Sequence, residues 1–281
     1  MGLRDILDED GLVAPFLYGP ARHAYRLFTQ ESYRTHAWLA SRLAGAPRRR
    51  ERRVRVHGWD LLVPDAASFL STYRELFVNG AYAFPAEGRA PRILDLGANI
   101  GLSVLFFKKM HPQARIMAFE ADPAIFTYLE RNVRGNGLED VELVRAAAWT
   151  ENTRLRFLPD GADGGRLAAS GEAGAIEVEA VDLPALLKGR EFDFLKIDVE
   201  GAEGRLLPAC RALLATARRV FLEYHSRPGE PQALSGILSL LSQEGFRLHV
   251  QGTHSSPAPF LGVGTHAGFD LQLNVFAWRE P

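Results

Sequence analysis

From residue 91 onward, short apolar runs alternate with longer segments in which apolar residues recur at helical spacing. This alternation predicts an α/β domain, because strands separated by helices favour a parallel sheet with crossover connections. The predicted strands cover 92–96, 114–120, 141–147, 192–198 and 219–224. The predicted helices cover 101–110, 123–135, 203–216 and 232–244.

Two stretches interrupt that alternation. Residues 150–181 contain two strand-like runs, 154–158 and 176–181, around a middle rich in Gly and Ala, and they predict an inserted hairpin. After the last helix come two further predicted strands, 246–251 and 271–278, which would form a terminal strand pair. The loop between them, 253–270, is a candidate lid over a site.

The N-terminal part of the chain has a different pattern. Residues 1–46 have apolar positions spaced for amphipathic helical packing. Short apolar runs on either side of Gly58 predict a hairpin, and a helix is predicted over 66–77. We therefore predict an N-terminal helical segment with a short hairpin over 1–90, followed by the main domain over 91–281.

Composition and charge narrow the class of function. The chain has 281 residues, is 47% hydrophobic and carries a net charge of −1, so it can build a sizeable core and is not adapted to neutralise phosphates. The run Arg48–Arg53 has no interleaved aromatic residue and is interpreted as a solvated linker, which makes nucleic acid an unfavoured partner. The single cysteine, Cys210, excludes an internal disulfide and a cysteine-cluster metal site. The sequence has neither a signal-peptide pattern nor an apolar run of spanning length, so we expect a cytoplasmic protein without a membrane partner.

The strongest local signal is the turn that follows the first strand of the main domain, with Gly97 and Gly101 in the stretch Gly-Ala-Asn-Ile-Gly. Glycines there let a backbone or a ligand approach closely. A dinucleotide site requires Gly-x-Gly-x-x-Gly, and this turn fails that pattern at its middle glycine. Asp95 would repel a pyrophosphate but favours S-adenosylmethionine, which carries an ammonium and a sulfonium. The candidate cofactor residues of this region are Asp95, Gly97, Ala98, Asn99 and Gly101.

A second signal lies at the end of the next strand, where Glu120 precedes Ala121. An acidic residue at that position can accept hydrogen bonds from both ribose hydroxyls of a nucleoside. The third strand ends in Ala146-Ala-Ala-Trp149, where small residues leave room for an adenine that Trp149 would cover. Trp149 in the apolar core is the alternative.

Polar residues alternate with apolar ones along the fourth and fifth strands. Lys196, Asp198 and Glu200 project to one face, and Glu223 and His225 share a face of the next strand. Because ligands bind outside the carboxyl ends of parallel strands, we expect these side chains to converge. His225 is the candidate base, Asp198 and Glu200 are candidate catalytic carboxylates, and Asp198 is also a candidate cofactor-binding residue. Two alternatives stay open: a site for Mg²⁺ formed by Asp198, Glu223 and His225, and a buried ion-pair network in which Lys196 neutralises Glu223 or Asp198.

Three motifs together resemble the FkbM family of S-adenosylmethionine-dependent methyltransferases: Asp95-Leu-Gly-Ala-Asn-Ile-Gly101, Phe119-Glu-Ala-Asp122 and Leu195-Lys-Ile-Asp-Val-Glu-Gly-Ala-Glu203. The resemblance covers residues 50–281. It implies a class I methyltransferase fold, a Rossmann-like seven-stranded mostly parallel sheet with helices on both faces. It also implies O-methylation of a hydroxyl on a sugar or secondary metabolite. Carried over, Asp95, Gly97, Asn99 and Gly101 border the methionine moiety, Glu120 the ribose, and Asp198 and Glu200 the active-site edge.

The sequence therefore predicts an S-adenosylmethionine-dependent O-methyltransferase of natural-product biosynthesis, acting on a small-molecule hydroxyl acceptor. A nicotinamide-dependent oxidoreductase is disfavoured by the glycine pattern. A nucleic-acid or N-directed methyltransferase is the first alternative, although an Asn/Asp-Pro-Pro-Tyr/Trp motif is missing and Cys210 lies in a predicted helix. A non-catalytic cofactor-binding partner subunit is the second. The sequence leaves a homo-oligomer open.

Overall fold

The computed structural model describes residues 15–86, 88–162, 164–168, 171–253 and 259–280. Its N-terminal part contains α1 (Pro15–Thr29), α2 (Glu31–Leu43), β1 (Arg52–Val56), β2 (Trp59–Val63), α3 (Ala66–Tyr73) and a π-helical turn (Arg74–Val78). The rest of the chain forms, in order, β3 (Arg92–Leu96), α4 (Leu102–Met110), β4 (Arg115–Phe119), α5 (Pro123–Arg134), β5 (Val141–Val144), β6 (Ala147–Trp149), β7 (Thr153–Leu158), β8 (Arg166–Leu167), β9 (Ile176–Asp182), α6 (Leu183–Leu186), β10 (Phe194–Ile197), α7 (Glu203–Ala209), α8 (Arg211–Leu214), β11 (Arg219–Ser226), α9 (Leu234–Gln243), β12 (Arg247–Gly252) and β13 (Leu271–Trp278).

Seven of these strands form the main sheet, in the order β12-β13-β11-β10-β3-β4-β5. Strands β11, β10, β3, β4 and β5 pair in parallel, and β13 runs antiparallel to both of its neighbours. In β3, four of the five residues are buried, because helices cover both faces of a parallel sheet. The predicted Rossmann-like α/β architecture with a terminal strand pair is confirmed.

The two faces of the sheet carry separate apolar cores. One core unites α4 and α5 with the hairpin β1–β2, with α3 and with Leu39 of α2. The other unites α7, α8 and α9. The N-terminal extension thus packs on the same core as the first half of the main domain, and the predicted boundary between residues 90 and 91 stays a prediction.

The region predicted as an inserted hairpin forms a second, four-stranded sheet in the order β6-β9-β7-β8. The antiparallel pairing of β7 with β9 is the predicted hairpin. The predicted single strand 141–147 is wrong, because it divides into β5, which stays in the main sheet, and β6, which pairs in parallel with β9. The last pairing of β5 is a hydrogen bond from Glu120 N to Val144 O at 3.1 Å, after which the chain leaves the main sheet.

Two predicted helices end early. The predicted helix 203–216 is interrupted after Ala209 and resumes as α8, and Pro208 lies in the last turn of its first part. The predicted helix 66–77 ends at Tyr73 and continues as the π-helical turn. The candidate lid includes residues 254–258, which lie outside the described residues. Within the described ranges, the helices are too short or too polar to cross a membrane.

Asn132 of α5 joins the N-terminal hairpin to the main domain. Its Oδ1 accepts from Leu62 N at 2.7 Å, and its Nδ2 donates to Leu62 O at 3.0 Å and Ile100 O at 2.9 Å. Four residues later, Asn136 bonds the backbone of Asp60 in the same way. Its Oδ1 accepts from Asp60 N at 2.9 Å and its Nδ2 donates to Asp60 O at 3.0 Å, and both bonds lie at the surface. The same interaction therefore occurs once buried and once at the surface.

We expect Asn132→Ala to lower the free energy of unfolding by about 2 to 4 kcal/mol, because it leaves buried backbone groups unpaired. Asn136→Ala should cost less than about 1 kcal/mol, since water can replace its side chain. Urea denaturation of both variants checks this difference. Equal losses in the two variants would show that burial at Asn132 does not decide the energy.

Candidate active site

A cavity of about 1070 Å³ opens at the carboxyl ends of the parallel strands. One part of its wall is formed by the turn after β3, the end of β4 and the segment around β6. The opposite part is formed by the ends of β10 and β11, the π-helical turn and side chains of β12 and β13. This is the edge at which open α/β sheets bind their ligands.

The turn after β3 depends on glycine at two positions, for different reasons. Gly97 has a φ of +84°, and a Cβ there would overlap the carbonyl oxygen of Asp198. Gly101 has a φ of +91°, and its Cβ would lie 2.9 Å from Leu129 in α5. Gly97 therefore lets β3 and β10 approach at the cavity, whereas Gly101 lets α4 pack on α5.

Glu120 organises the backbone beside this turn. Its two carboxylate oxygens accept from Asn99 N at 2.9 Å and from Asp122 N at 2.8 Å. Asn99 itself has a φ of +49° and donates from Nδ2 to Ala162 O at 3.0 Å, which ties the second sheet to the turn. Burial raises the pKa of Glu120 to about 7, although the two amides partly oppose this shift.

Lys196 stands at the centre of a buried ion-pair network. Its Nζ lies 3.2 Å from Asp198 Oδ2 and 3.4 Å from Asp95 Oδ1, and it donates to Gly97 O at 2.6 Å. Burial alone would lower the pKa of Lys196, but Asp198 and Asp95 outweigh it and raise that pKa above its usual value. The predicted pairing of Lys196 with Asp198 is present, and Asp95 is a second partner that the sequence pattern did not predict.

His225 is enclosed by carboxylates on both of its ring nitrogens. Nδ1 lies 3.2 Å from Glu203 Oε1, and Nε2 lies 3.5 Å from Glu200 Oε2 and 3.8 Å from Glu223 Oε1. Burial would lower the pKa of His225, but Glu203 and Glu200 outweigh it and raise that pKa to about 10. The ring is therefore an imidazolium at neutral pH.

Glu203 holds the loop that presents this cluster. Its Oε1 accepts from Val199 N at 3.2 Å and from Gly201 N at 3.1 Å, besides facing His225. Glu200 and Gly201 have φ values of +55° and +103°, so the loop turns sharply between β10 and α7. A buried carboxylate thus fixes both the loop and the histidine.

The structure brings most of the predicted site residues to one cavity. Asp95 and Gly101 do not line it: Asp95 lies behind the wall, where Ser103 Oγ donates to it at 2.5 Å, and Gly101 faces α5. Trp149 both lines the cavity and is buried, with the Arg205 guanidinium 4.7 Å from its ring centroid. The predicted residues that line the cavity are Gly97, Ala98, Asn99, Glu120, Ala121, Trp149, Asp198, Glu200, Glu223 and His225.

Sequence reasoning missed three polar residues of this site. Glu203 was noticed only as part of a motif, although a carboxylate at the start of a helix can bind the preceding amides. Asn274 could have been noticed, because it and Gln272 alternate with apolar residues along β13. Glu75 had no signal, since nothing in an amphipathic pattern predicts that a helix continues as a π-helical turn.

Fold and site together define a class. The order and direction of the seven strands, with a cavity at the glycine turn, are those of the class I methyltransferase fold. The family described as the methyltransferase FkbM domain matches residues 95–248. The chain belongs to this family, as the motifs predicted.

Individual relatives are similar over different shares of their length. Methyltransferase sdnD of Sordaria araneosa is 42% identical over 23% of this chain and 25% of its own length. Methyltransferase 1 of Beauveria bassiana is 26% identical over 47% of this chain and 63% of its own length. The 31-O-demethyl-FK506 methyltransferase FkbM of Streptomyces tacrolimicus is 30% identical over 64% of this chain and 82% of its own length. The match thus covers a quarter of the length of sdnD and less than two thirds of the length of Methyltransferase 1.

We expect Gly97→Ala to destabilise the protein by at least about 2 kcal/mol more than Gly137→Ala, because its Cβ meets the backbone of Asp198. Gly137 has a φ of +62° and open space where a Cβ would lie. Gly137→Ala therefore measures the cost of the left-handed backbone alone, about 1 to 2 kcal/mol. Thermal and urea unfolding measure both. Similar losses would mean that the close approach at Gly97 is not required.

Proposed function

We propose that the protein transfers a methyl group from S-adenosylmethionine to a hydroxyl oxygen of a small molecule. The observation that carries this proposal is the composition of the cavity. A glycine turn and Glu120 form a nucleoside-type wall, and next to that turn lies the carboxylate of Asp198, whose Oδ1 is buried and has no hydrogen-bond partner among the described residues. The FkbM relative named for a 31-O position supports oxygen as the acceptor atom.

The cavity wall fits this cofactor in charge and in shape. Gly97 leaves space that a Cβ would occupy, and Glu120 offers carboxylate oxygens to a ribose. Ala98, Asn99, Ala121 and Trp149 complete the wall on which the nucleoside would lie. When bound, S-adenosylmethionine supplies an electrophilic methyl group on a sulfonium. Asp95 does not line the cavity but pairs with Lys196, and Gly101 leaves the space in which α4 packs against α5.

We assign the proton acceptor to Asp198. Its Oδ2 is held by Lys196 at 3.2 Å, while its buried Oδ1 has no hydrogen-bond partner within the described part of the chain. An acceptor hydroxyl placed against Oδ1 would donate its proton to that atom as its oxygen becomes nucleophilic. Lys196 keeps the carboxylate in position, so little reorganisation accompanies the step.

His225 is less suited to act as the base than the sequence suggested. A proton on each ring nitrogen leaves no lone pair for a substrate, and the ring is almost completely buried between Glu203 and Glu200. We therefore propose that His225 and Glu203 position the Glu200 carboxylate, which lines the cavity. Glu200 then orients the acceptor beside Asp198.

The cluster does not fit Mg²⁺. Asp198, Glu200 and His225 offer ligand atoms within 4.8 Å of one another, so Glu200 takes the place predicted for Glu223. Magnesium prefers an octahedral shell of oxygen atoms. Here one donor is an imidazole that faces two carboxylates, and Asp198 already pairs with Lys196. We derive no step through a metal ion.

The basic run Arg48–Arg53, the one feature in favour of a nucleic-acid substrate, makes bonds within the protein. Arg48 Nε pairs with Asp65 Oδ2 at 2.7 Å, and Arg49 N donates to the same oxygen at 2.7 Å. Asp65 in turn caps α3 by accepting from Ala67 and Ser68. This supports the interpretation of Arg48–Arg53 as structural and solvated, and a small molecule as the substrate.

We expect the affinity for S-adenosylmethionine to fall as the pH decreases below about 7. The pKa of Glu120 is about 7 in the free protein, and protonation turns one of its two acceptor oxygens into a donor, so each oxygen can no longer accept from a ribose hydroxyl. Binding then requires the loss of one proton, so Kd rises about tenfold for each pH unit below 7. Isothermal titration between pH 5.5 and 8.5 measures this slope.

Glu120→Gln is the matched variant for that experiment, since it keeps the shape of the side chain and has no ionisable group. It should bind more weakly at pH 8 and show a flat profile below pH 7. A wild-type affinity that does not change with pH would contradict the role given to Glu120.

We expect Asp198→Asn to lower kcat by about 10² to 10⁴ while S-adenosylmethionine affinity changes less than threefold, because the variant loses a proton acceptor and keeps its size. Isothermal titration and release of S-adenosylhomocysteine with an active acceptor measure the two effects. Magnesium or EDTA should change neither. Failure of the wild type to bind S-adenosylmethionine would overturn the proposed function, and unchanged turnover in Asp198→Asn would overturn its base.

A further inference from the structure

One part of the cavity wall is not used by the proposed function. Glu75 of the π-helical turn, Glu223 of β11 and Asn274 of β13 line the cavity on the side of Asp198. We call these three residues the acidic wall. They come from distant parts of the chain: Glu223 and Asn274 lie opposite each other in the pair of β11 with β13, and Glu75 of the N-terminal extension joins them through Asn274.

Asn274 has a fixed orientation in the acidic wall. Its Nδ2 donates to Glu75 Oε1 at 3.1 Å. A carboxylate only accepts hydrogen bonds, so the amide cannot be turned the other way round without losing this bond. Asn274 Oδ1 is therefore directed elsewhere; it is buried and has no hydrogen-bond partner in the described structure, and the residue is only 6% exposed. A buried oxygen without a donor marks a place that a ligand donor can fill.

Glu223 faces Asn274 from the neighbouring strand. In the antiparallel pair of β11 with β13, Glu223 lies directly opposite Asn274. Side chains opposite one another in such a pair have Cβ atoms about 4.5 to 5.5 Å apart and project to the same face. The acidic wall thus presents oxygen atoms from three side chains in one small area, and one of the two N–H donors of Asn274 Nδ2 is already bonded to Glu75.

The two buried positive charges near the acidic wall are already paired. Lys196 is held by Asp95 and Asp198, and His225 by Glu203 and Glu200. Arg74 also borders the cavity, but it is exposed, and its charge acts on His36. Burial raises the pKa of Glu75, and Asp198 raises it further, as expected where negative charge lacks a counter-ion.

We propose that the acidic wall is the subsite for the methyl acceptor, and that this acceptor carries a protonated amine close to the hydroxyl that is methylated. An ammonium has three donors and no acceptor, which complements a wall of oxygen atoms. A neutral diol also brings lone pairs, for which these three residues offer only the second N–H of Asn274 Nδ2, and it brings no positive charge to offset the carboxyl groups. The inference rests on the proposed function, because it places the acceptor beside Asp198.

Isothermal titration of the protein saturated with S-adenosylhomocysteine tests the proposal with matched probes. The probes are trans-2-aminocyclohexanol against trans-cyclohexane-1,2-diol, and D-glucosamine against D-glucose. Within each pair an amine replaces a hydroxyl. We expect at least one amine to bind at least tenfold more tightly than its neutral partner. In Glu75→Gln, which can still accept from Asn274 but has no charge, that preference should fall below threefold.

Glu139→Gln is the control, since it removes one exposed carboxylate that does not line the cavity and should keep the preference. Equal binding of amine and diol, no binding of either amine, or an unchanged preference in Glu75→Gln would each overturn the proposal. Binding of S-adenosylhomocysteine by the wild type distinguishes the failure of the proposed function from the failure of this inference. If the wild type does not bind it, the proposed function is contradicted. If it binds but shows no amine preference, only the role given to the acidic wall is contradicted.

Discussion

The ammonium group of Lys196 determines how the centre of this molecule is built. It lies in the middle of the parallel sheet, between Asp95 of β3 and Asp198 after β10, and it also bonds the carbonyl of Gly97. Removal of one partner from a buried ion pair typically costs about 3 to 5 kcal/mol, because the other charge is left uncompensated. Here one cation compensates two carboxylates, so both strand ends depend on it.

This arrangement joins the cofactor wall of the cavity to the proposed proton acceptor. Gly97 belongs to the wall that would hold the cofactor, and Asp198 is the proposed proton acceptor, yet the two residues are in backbone contact and share Lys196. Catalysis of group transfer depends strongly on the relative position of the reacting groups. A single lysine therefore fixes the distance between the place of the donor and the place of the base.

The sequence predicted the fold better than it predicted the site. Strands 92–96 and 271–278 have the predicted bounds because apolar runs in a covered sheet leave little freedom. The roles of Asp95 and His225 were harder to predict, since they depend on which charges lie opposite each side chain. Asp95 faces Lys196 rather than the cavity, and His225 lies between Glu203 and Glu200. Glu75 could not be predicted, because its place depends on a π-helical turn and on packing between distant segments.

The cavity is lined by more acidic than basic side chains, and this imbalance has an energetic cost. Glu75, Asp198, Glu200 and Glu223 line it together, while the two buried cations, Lys196 and His225, also serve Asp95 and Glu203 behind the wall. A folded protein keeps an excess of buried carboxyl groups only at the expense of stability, through raised pKa values such as that of Glu75. Ligands that carry positive charge relieve this cost when they bind. An ammonium held at the acidic wall would do so at Glu75, and the sulfonium of S-adenosylmethionine would bring a second positive charge into the same cavity.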